Sequence, residues 1–295
     1  MNLSNLSNKI EGGGCIITAY NNQKIIDLDK FTIINTFKDK GVILFRGFEN
    51  IKNDILNFTD QFSHKYANDA TRRENRFGSK KLNNVDPGNM EMPMHSEASY
   101  SPSWPEVIWF YCNIAPKKSG MTTLSDGVSI FKKLKASTKN FFLKNQILYD
   151  CVIPFSKGKN TQKKKILKPW YIEMPGIYDC FIDFNNKEIY LKLKRYAVQL
   201  IKSSETDLMA FSNHLQIVLS RDPQLKSIKL ENGKKISSRI MDEVKKATDE
   251  STLDINWEDR DLIMINNKRF MHGRRKIQLN EKRDIINIQT LKTSF

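Results

Sequence analysis

Four short segments dominated by large apolar residues constrain this chain most: GVILFRGF at 41–48, VIWFYC at 107–112, DLIMIN at 261–266 and DIINIQTL at 284–291. Their β-branched and aromatic density and their shortness read as buried strands rather than buried helices, with Arg46-Gly47 turning the chain out of the first. Strands therefore occur early and late, helical patterns lie between them, and no regular βαβ alternation of the kind that builds a parallel sheet is present. The expected class is mainly β with helical additions (α+β), on a distorted double-stranded β-helix, or jelly-roll, core.

Helical spacing appears in three places. Ile55, Phe58, Thr59 and Phe62 share one face of a helix over 54–62, and Ile130, Leu134, Phe141 and Phe142 punctuate a Lys-rich helix over 128–144. The clearest helix is expected at 203–221, where a capping-type Ser is followed by Glu205 and Asp207, and Leu208, Phe211, Leu215 and Val218 fall at helical spacing. A length of 295 residues suits one β-rich core with insertions. Residues 1–14, polar and ending in Gly12-Gly13-Gly14, read as a flexible lead-in, and 15–295 as a single domain. The Lys-, Asn- and Gly-rich span 155–257 is expected to lay loops and helices over the barrel as a lid or insert.

A net charge of +15 and a pI near 9.5 raise the question of a polyanion partner. The Lys runs at 132–133, 163–165, 234–235 and 245–246 are scattered and have no interleaved aromatic motif, so a solvated basic surface is expected and nucleic acid is not the expected partner. Cys15, Cys112, Cys151 and Cys180 form no C-x-x-C pair, which argues for reduced, mostly buried thiols. No apolar stretch has the length of a signal sequence or a membrane span, and a cytoplasmic location with no membrane partner is expected.

The chemistry-bearing residues begin with Met94-His95-Ser96-Glu97. In an extended strand the imidazole and the carboxylate would point to the same face, a chelating geometry. Two His and one carboxylate leave three positions open on a redox iron, so a distant second His is needed. The chain has 4 His. His64, beside Tyr66 at the end of a helix, and His214, beside Phe211 and Leu215, are more simply structural. His272 follows a strand and precedes Gly273 and the cations Arg274, Arg275 and Lys276, and is the distal ligand of this reading. H-x-E alone arises often by chance. Arg283 heads the next apolar strand, where its planar fork could bind a carboxylate through two parallel hydrogen bonds, a surface Arg on a strand edge being the ordinary alternative.

Together, MHSEASYSPSWPEVIWFYCNIAPKKSGMTTLSDG and NNKRFMHGRRKIQLNEKRDIINI resemble the TauD/TfdA family of Fe(II)- and 2-oxoglutarate-dependent dioxygenases. The resemblance rests on H-x-E, the G-x-T-x-x-x-D run from Gly120 to Asp126, and the closing H-G-R with its downstream Arg. It implies that His95, Glu97 and His272 hold Fe(II), that Thr122 and Arg283 bind 2-oxoglutarate, that O₂ is the second cosubstrate, and that Gly120 forms a turn. GVILFRGF would be the family's early core strand.

Taurine-type members carry H-x-D, whereas Glu97 is similar to the branch of clavaminate synthase, asparagine oxygenase and SyrP-type aspartyl hydroxylases, which oxidises amino acids, free or carrier-bound. The expected activity is hydroxylation or desaturation of an unactivated C–H of an amino-acid-like small molecule in specialised metabolism, with an acidic carrier protein as a candidate partner. The retained carboxylate argues against halogenation. The competing expectation is an inactive dioxygenase-fold protein that binds RNA or an acidic partner through its basic surface.

Overall fold

The four apolar runs become four consecutive strands of one sheet, in the order Val42–Arg46, Leu262–Asn266, Val107–Ile114 and Asp284–Thr293. All three junctions are antiparallel, with Ile263 opposite both Leu44 and Phe110, and Phe110 opposite Asn287. Cys15–Thr18 joins parallel to Val42–Arg46, and Asn2–Asn5 pairs on its outer side. Ser79–Asn84, Asn75–Arg76 and Ser63–Tyr66 extend the sheet at and beyond Asp284–Thr293. The computed structural model describes residues 2–7, 13–67, 73–154, 176–183, 185–186, 188–202, 206–217 and 225–295.

Antiparallel strands usually alternate apolar and polar residues because one face meets water. Here both faces are covered, which is why the runs are continuous. Val42, Leu44, Ile108, Phe110, Ile263, Ile265 and Ile285 pack inward against Leu124 and Phe270 of a second sheet. The alternate residues Ile43, Phe45, Trp109, Met264, Ile286 and Ile288 pack outward on Ile33, Phe37, Ile55 and Phe58 of the helices Lys30–Lys40 and Ile51–Asp60. Asp29 caps the first of these helices by accepting from Thr32 N at 2.7 Å. Gly41 ends it at φ 70°, where a Cβ would also come within 2.7 Å of the Phe270 ring.

The second sheet has the order Thr252–Asp254, Thr122–Asp126, Phe270–Arg274 and Met92–His95. The two facing sheets form the jelly-roll core. Behind the second sheet, Met94 and Met271 join a further cluster with Phe142, Tyr149, Leu191 and Val244. That cluster is built from the helices Gly127–Lys133, Ala136–Lys144 and Ser238–Glu250, and from a sheet of Ile177–Asp183, Glu188–Arg195, Ile147–Pro154 and Leu225–Leu230.

Several local expectations are corrected. The described part of 155–257 combines strands and loops with the helix Ser238–Glu250. The helix expected over 203–221 is absent from its described portion, since Leu208–Phe211 forms a hairpin with Val198–Ile201. Leu208 and Ala210 face Val128 and Ile201 while Met209 and Phe211 face the opposite cluster, a period of two that also fits the apolar spacing. Asn213 then closes a turn, accepting from Leu215 N at 3.0 Å and donating to Ala197 O at 3.1 Å, in competition with helix. Residues 203–205 and 218–221 of that expected helix, and the Lys run 163–165, lie outside the described residues. The helix expected over 128–144 breaks after Lys133, because Glu243 accepts from Lys135 N and Thr138 Oγ1 and starts a second helix there. His64 lies on the strand Ser63–Tyr66 and is exposed, and Asn2–Asn5 within the expected lead-in forms an edge strand.

Candidate active site

His95 and His272 are 177 positions apart in sequence yet directly opposite each other across the antiparallel pair Met92–His95 and Phe270–Arg274, their ring centroids 4.5 Å apart. Such cross-strand neighbours are the natural contact unit of a sheet. The strand ends at His95, so His95 and Glu97 do not share the face of one extended strand, as the H-x-E spacing suggested. Asn267 instead clamps the turn that follows. Its Oδ1 accepts from Glu97 N at 2.8 Å, its Nδ2 donates to Glu97 O at 3.0 Å, and its carbonyl accepts from Ser96 Oγ at 2.6 Å. The clamp returns the Glu97 carboxylate to the two imidazoles.

Nε2 of His95 and Nε2 of His272 each lie 3.5 Å from Glu97 Oε2, and one ligating atom from each of the three residues falls within 4.8 Å of the others. His95 Nδ1 lies 2.8 Å from Pro93 O, which places a proton on Nδ1 and turns Nε2 towards the carboxylate. The other Glu97 oxygen, Oε1, accepts from Gln289 Nε2 at 3.0 Å and Arg73 Nη2 at 3.2 Å. Burial alone would raise the Glu97 pKa, but Arg73 and then the two imidazoles hold it well below the usual carboxylate range. Burial is likewise outweighed at His95, where Glu97 raises the pKa. Burial and the neighbouring His95 push His272 down to about 4, so it is neutral and its lone pair is available. Phe110 stands edge-on to His272 with centroids 5.2 Å apart.

His214 is buried behind His95, ring centroids 5.2 Å apart, with Nδ1 3.3 Å from Ser96 O. It packs against the ligand-bearing turn and does not join the converging group.

Thr122 begins the strand beside Phe270–Arg274. Gly120 precedes it at φ 73°, in a turn where a Cβ would meet Ile277 at 2.7 Å. Thr122 Oγ1 accepts from Trp257 Nε1 at 3.0 Å and Arg283 Nη2 at 3.2 Å, which leaves the hydroxyl proton for a third partner. Arg283 is half-buried, its pKa pushed down to about 10 by burial and then by Arg274. Its Nε is buried without a hydrogen-bond partner, and among the described residues it makes no ion pair. A half-buried guanidinium with an unpartnered Nε is suited to bind a carboxylate. Asp126, which ends the G-x-T-x-x-x-D run, is structural: it caps Gly127–Lys133 and pairs through both oxygens with buried Arg269.

These two groups share a cavity, lined by His95, Glu97 and His272 and by Thr122, Arg274 and Arg283. Arg73, Asp86 and Asn287 also line it. Arg73, Asn267, Asn287 and Gln289 were not singled out from sequence. Asn287 and Gln289 left a signal, since they replace apolar residues at a period of two on the inward face of DIINIQTL; Arg73 left none.

The sequence model of the family described as "Taurine catabolism dioxygenase TauD, TfdA family" matches residues 19–289. A clavaminate synthase-like protein of Arabidopsis thaliana is 21% identical over 275 residues, covering 85% of this chain and 82% of that protein. Among solved structures, PvcB of Pseudomonas aeruginosa superimposes with a TM-score of 0.63 at 12% identity, over 98% of this chain and 90% of that one. PvcB is an Fe, alpha-ketoglutarate dependent oxygenase from an isonitrile synthetic pathway. AAD-2, in complex with Mn(II) and N-oxalylglycine, gives a TM-score of 0.61 at 14% identity over 98% and 96%. At these identities the solved structures show a shared fold.

Proposed function

The chain belongs to the TauD, TfdA family of dioxygenases, and we propose that it oxidises an unactivated C–H bond of an amino acid or amino-acid-derived small molecule, free or carrier-bound. In this reading His95, Glu97 and His272 hold Fe(II), Thr122 and Arg283 hold the remote carboxylate of 2-oxoglutarate, and residues 15–295 act as one catalytic domain. The observation that carries it is the meeting, in one cavity, of two imidazole nitrogens and a carboxylate oxygen with an Arg whose buried Nε has no partner among the described residues.

The residues fit the cofactors. Two imidazole nitrogens and one carboxylate are the donor set that would hold Fe(II) in a non-haem oxygenase. Glu97 stays ionised and His272 neutral at physiological pH, so neither needs to lose a proton to serve as a ligand. Arg283 and the free Thr122 proton match one planar carboxylate. With Fe(II) and 2-oxoglutarate bound, O₂ would be the oxidant: one oxygen atom enters succinate as 2-oxoglutarate loses CO₂, and the other enters the substrate as a hydroxyl or leaves as water when the substrate loses two hydrogens.

The protein orients and shields. Phe110 and the inner apolar face keep water from the ligand cluster, while the strand pairing of His95 and His272 fixes their separation. Glu97 occupies the position a halide would need, which supports hydroxylation or desaturation over halogenation. The amino-acid reading draws its support from Glu97 in place of Asp and from the clavaminate synthase-like relative. Free thiols at Cys15, Cys112, Cys151 and Cys180 support a reducing, cytoplasmic location; among the described residues no helix is long and apolar enough to cross a membrane.

The test is a screen of amino acids, free and carrier-loaded, for substrate-stimulated succinate release, with product mass read for gain of one oxygen or loss of two hydrogens. Stimulation by an amino acid is expected. Stimulation only by substrates of another class would remove the amino-acid reading and keep the oxygenase.

A further inference from the structure

Glu97 differs from a shorter Asp by one methylene, and so by one more freely rotating bond that must be fixed before its carboxylate can serve at a defined place. The backbone of Glu97 is fixed by Asn267 at both N–H and C=O. The carboxylate is fixed at the far side: Oε1 accepts from Arg73 and Gln289, and Oε2 has the two imidazole nitrogens at 3.5 Å each. Gln289 is 8% exposed on the inner face of Asp284–Thr293. The Arg73 side chain is 12% exposed and is itself braced, with Nε donating to Asp86 Oδ1 at 3.0 Å and Nη1 to Asn287 Oδ1 at 3.5 Å.

From this geometry we infer that Arg73 and Gln289 are positioning residues that grip Oε1 of Glu97, present Oε2 alone to the metal position, and make Glu rather than Asp the residue required at 97. The inference rests on the reading of Glu97 as a metal ligand. With its backbone held by Asn267, an Asp there would end one carbon–carbon bond short of the two donors. It could keep its contact with the imidazoles or with the clamp, not both. The longer carboxylate in this chain's H-x-E is thus matched to a clamp arriving from two other parts of the chain, and it carries information about support as well as about substrate. Outer partners of this kind orient ligands in metal sites generally, and their loss typically weakens metal affinity or activity by about 10–100-fold.

The test uses full-length protein stripped of metal and titrated with Co(II), reading affinity and the visible d–d spectrum, which reports coordination, alongside the melting temperature of each metal-free protein. R73M is expected to weaken Co(II) binding by about 10–100-fold and to change the spectrum as Oε1 is freed to join Oε2, with R73K recovering part of the loss. Q289L should shift both readouts in the same direction by less. E97D should lose affinity as R73M does, and R73M/E97D should be no worse than E97D, because the shorter side chain cannot join the clamp to the metal position in either variant. Wild-type affinity and spectrum in R73M, or wild-type affinity in E97D, with H95A unable to bind Co(II), would overturn the inference while leaving the ligand assignment standing. Equal binding by wild type and H95A would instead remove the ligand assignment, and the inference with it.

Discussion

Arg283 is the residue on which the cosubstrate reading depends most directly, because its Nε is buried and unpartnered and it forms no ion pair among the described residues. R283M should raise the KM for 2-oxoglutarate by about 10–100-fold, the equivalent of the ~1.5–3 kcal/mol of a hydrogen bond to a charged group. Co(II) affinity should stay unchanged, and steady-state kinetics with a parallel metal titration checks both. At this scale His95, Glu97, His272, Thr122 and Arg283 could be picked out because each has a rare residue type or a fixed spacing to recommend it, and the structure gathers all five around one cavity. Arg73 could not. It is one of many cations in a chain of net charge +15, and only the fold brings it to Glu97. Asn267 has no spacing to the H-x-E segment that marks it in the sequence, yet it makes the hydrogen bonds that turn the chain between His95 and Glu97. N267A should leave the Glu97 N–H and the Glu97 and Pro105 carbonyls short of a partner, at a cost of about 1–3 kcal/mol, measured by denaturant unfolding.

At the scale of elements, the four apolar runs were legible as strands because burial on both faces writes a continuous signal, and they proved to be neighbours. What they did not reveal was pairing order, since Val107–Ile114 sits between two strands from the end of the chain. The expected helix over 203–221 failed for a physical reason: with Leu208, Met209, Ala210 and Phe211 all apolar, periods of two and 3.6 are both satisfied, and the partner strand Val198–Ile201 decided between them. The ion pair Asp126–Arg269 ties the second sheet together near the site, with side chains 0% and 3% exposed. D126N should therefore cost about 3–5 kcal/mol by leaving a buried guanidinium unpaired, whereas replacing both partners by apolar residues of similar volume should cost less. Thermal unfolding of the single and double variants separates the two. Asn keeps an oxygen that can accept from Val128 N, so the cap of Gly127–Lys133 should survive in the single variant.

For the molecule as a whole, a metal held by both sheet-borne imidazoles binds the folded chain alone, so Co(II) at 100 times its Kd should add about 2.7 kcal/mol of stability that a chelator removes. The basic surface is a separate matter. Many of its cations are engaged with carboxylates on the same surface, as Lys81 with Asp60, Lys192 with Asp179 and Lys245 with Asp249, and such exposed pairs add little to stability. A protein that had kept the fold and lost the chemistry would need neither an unopposed Arg283 in the cavity nor two imidazoles aimed at one carboxylate oxygen. The most direct test is succinate formed from 2-oxoglutarate and O₂ by purified full-length protein, with and without Fe(II), beside H95A and H272A variants that melt as the wild type does. Iron-dependent succinate in the wild type and none in either variant is the predicted result. No succinate from folded, iron-supplemented wild type across the amino-acid screen, together with strongly salt-dependent polyanion binding, would contradict it.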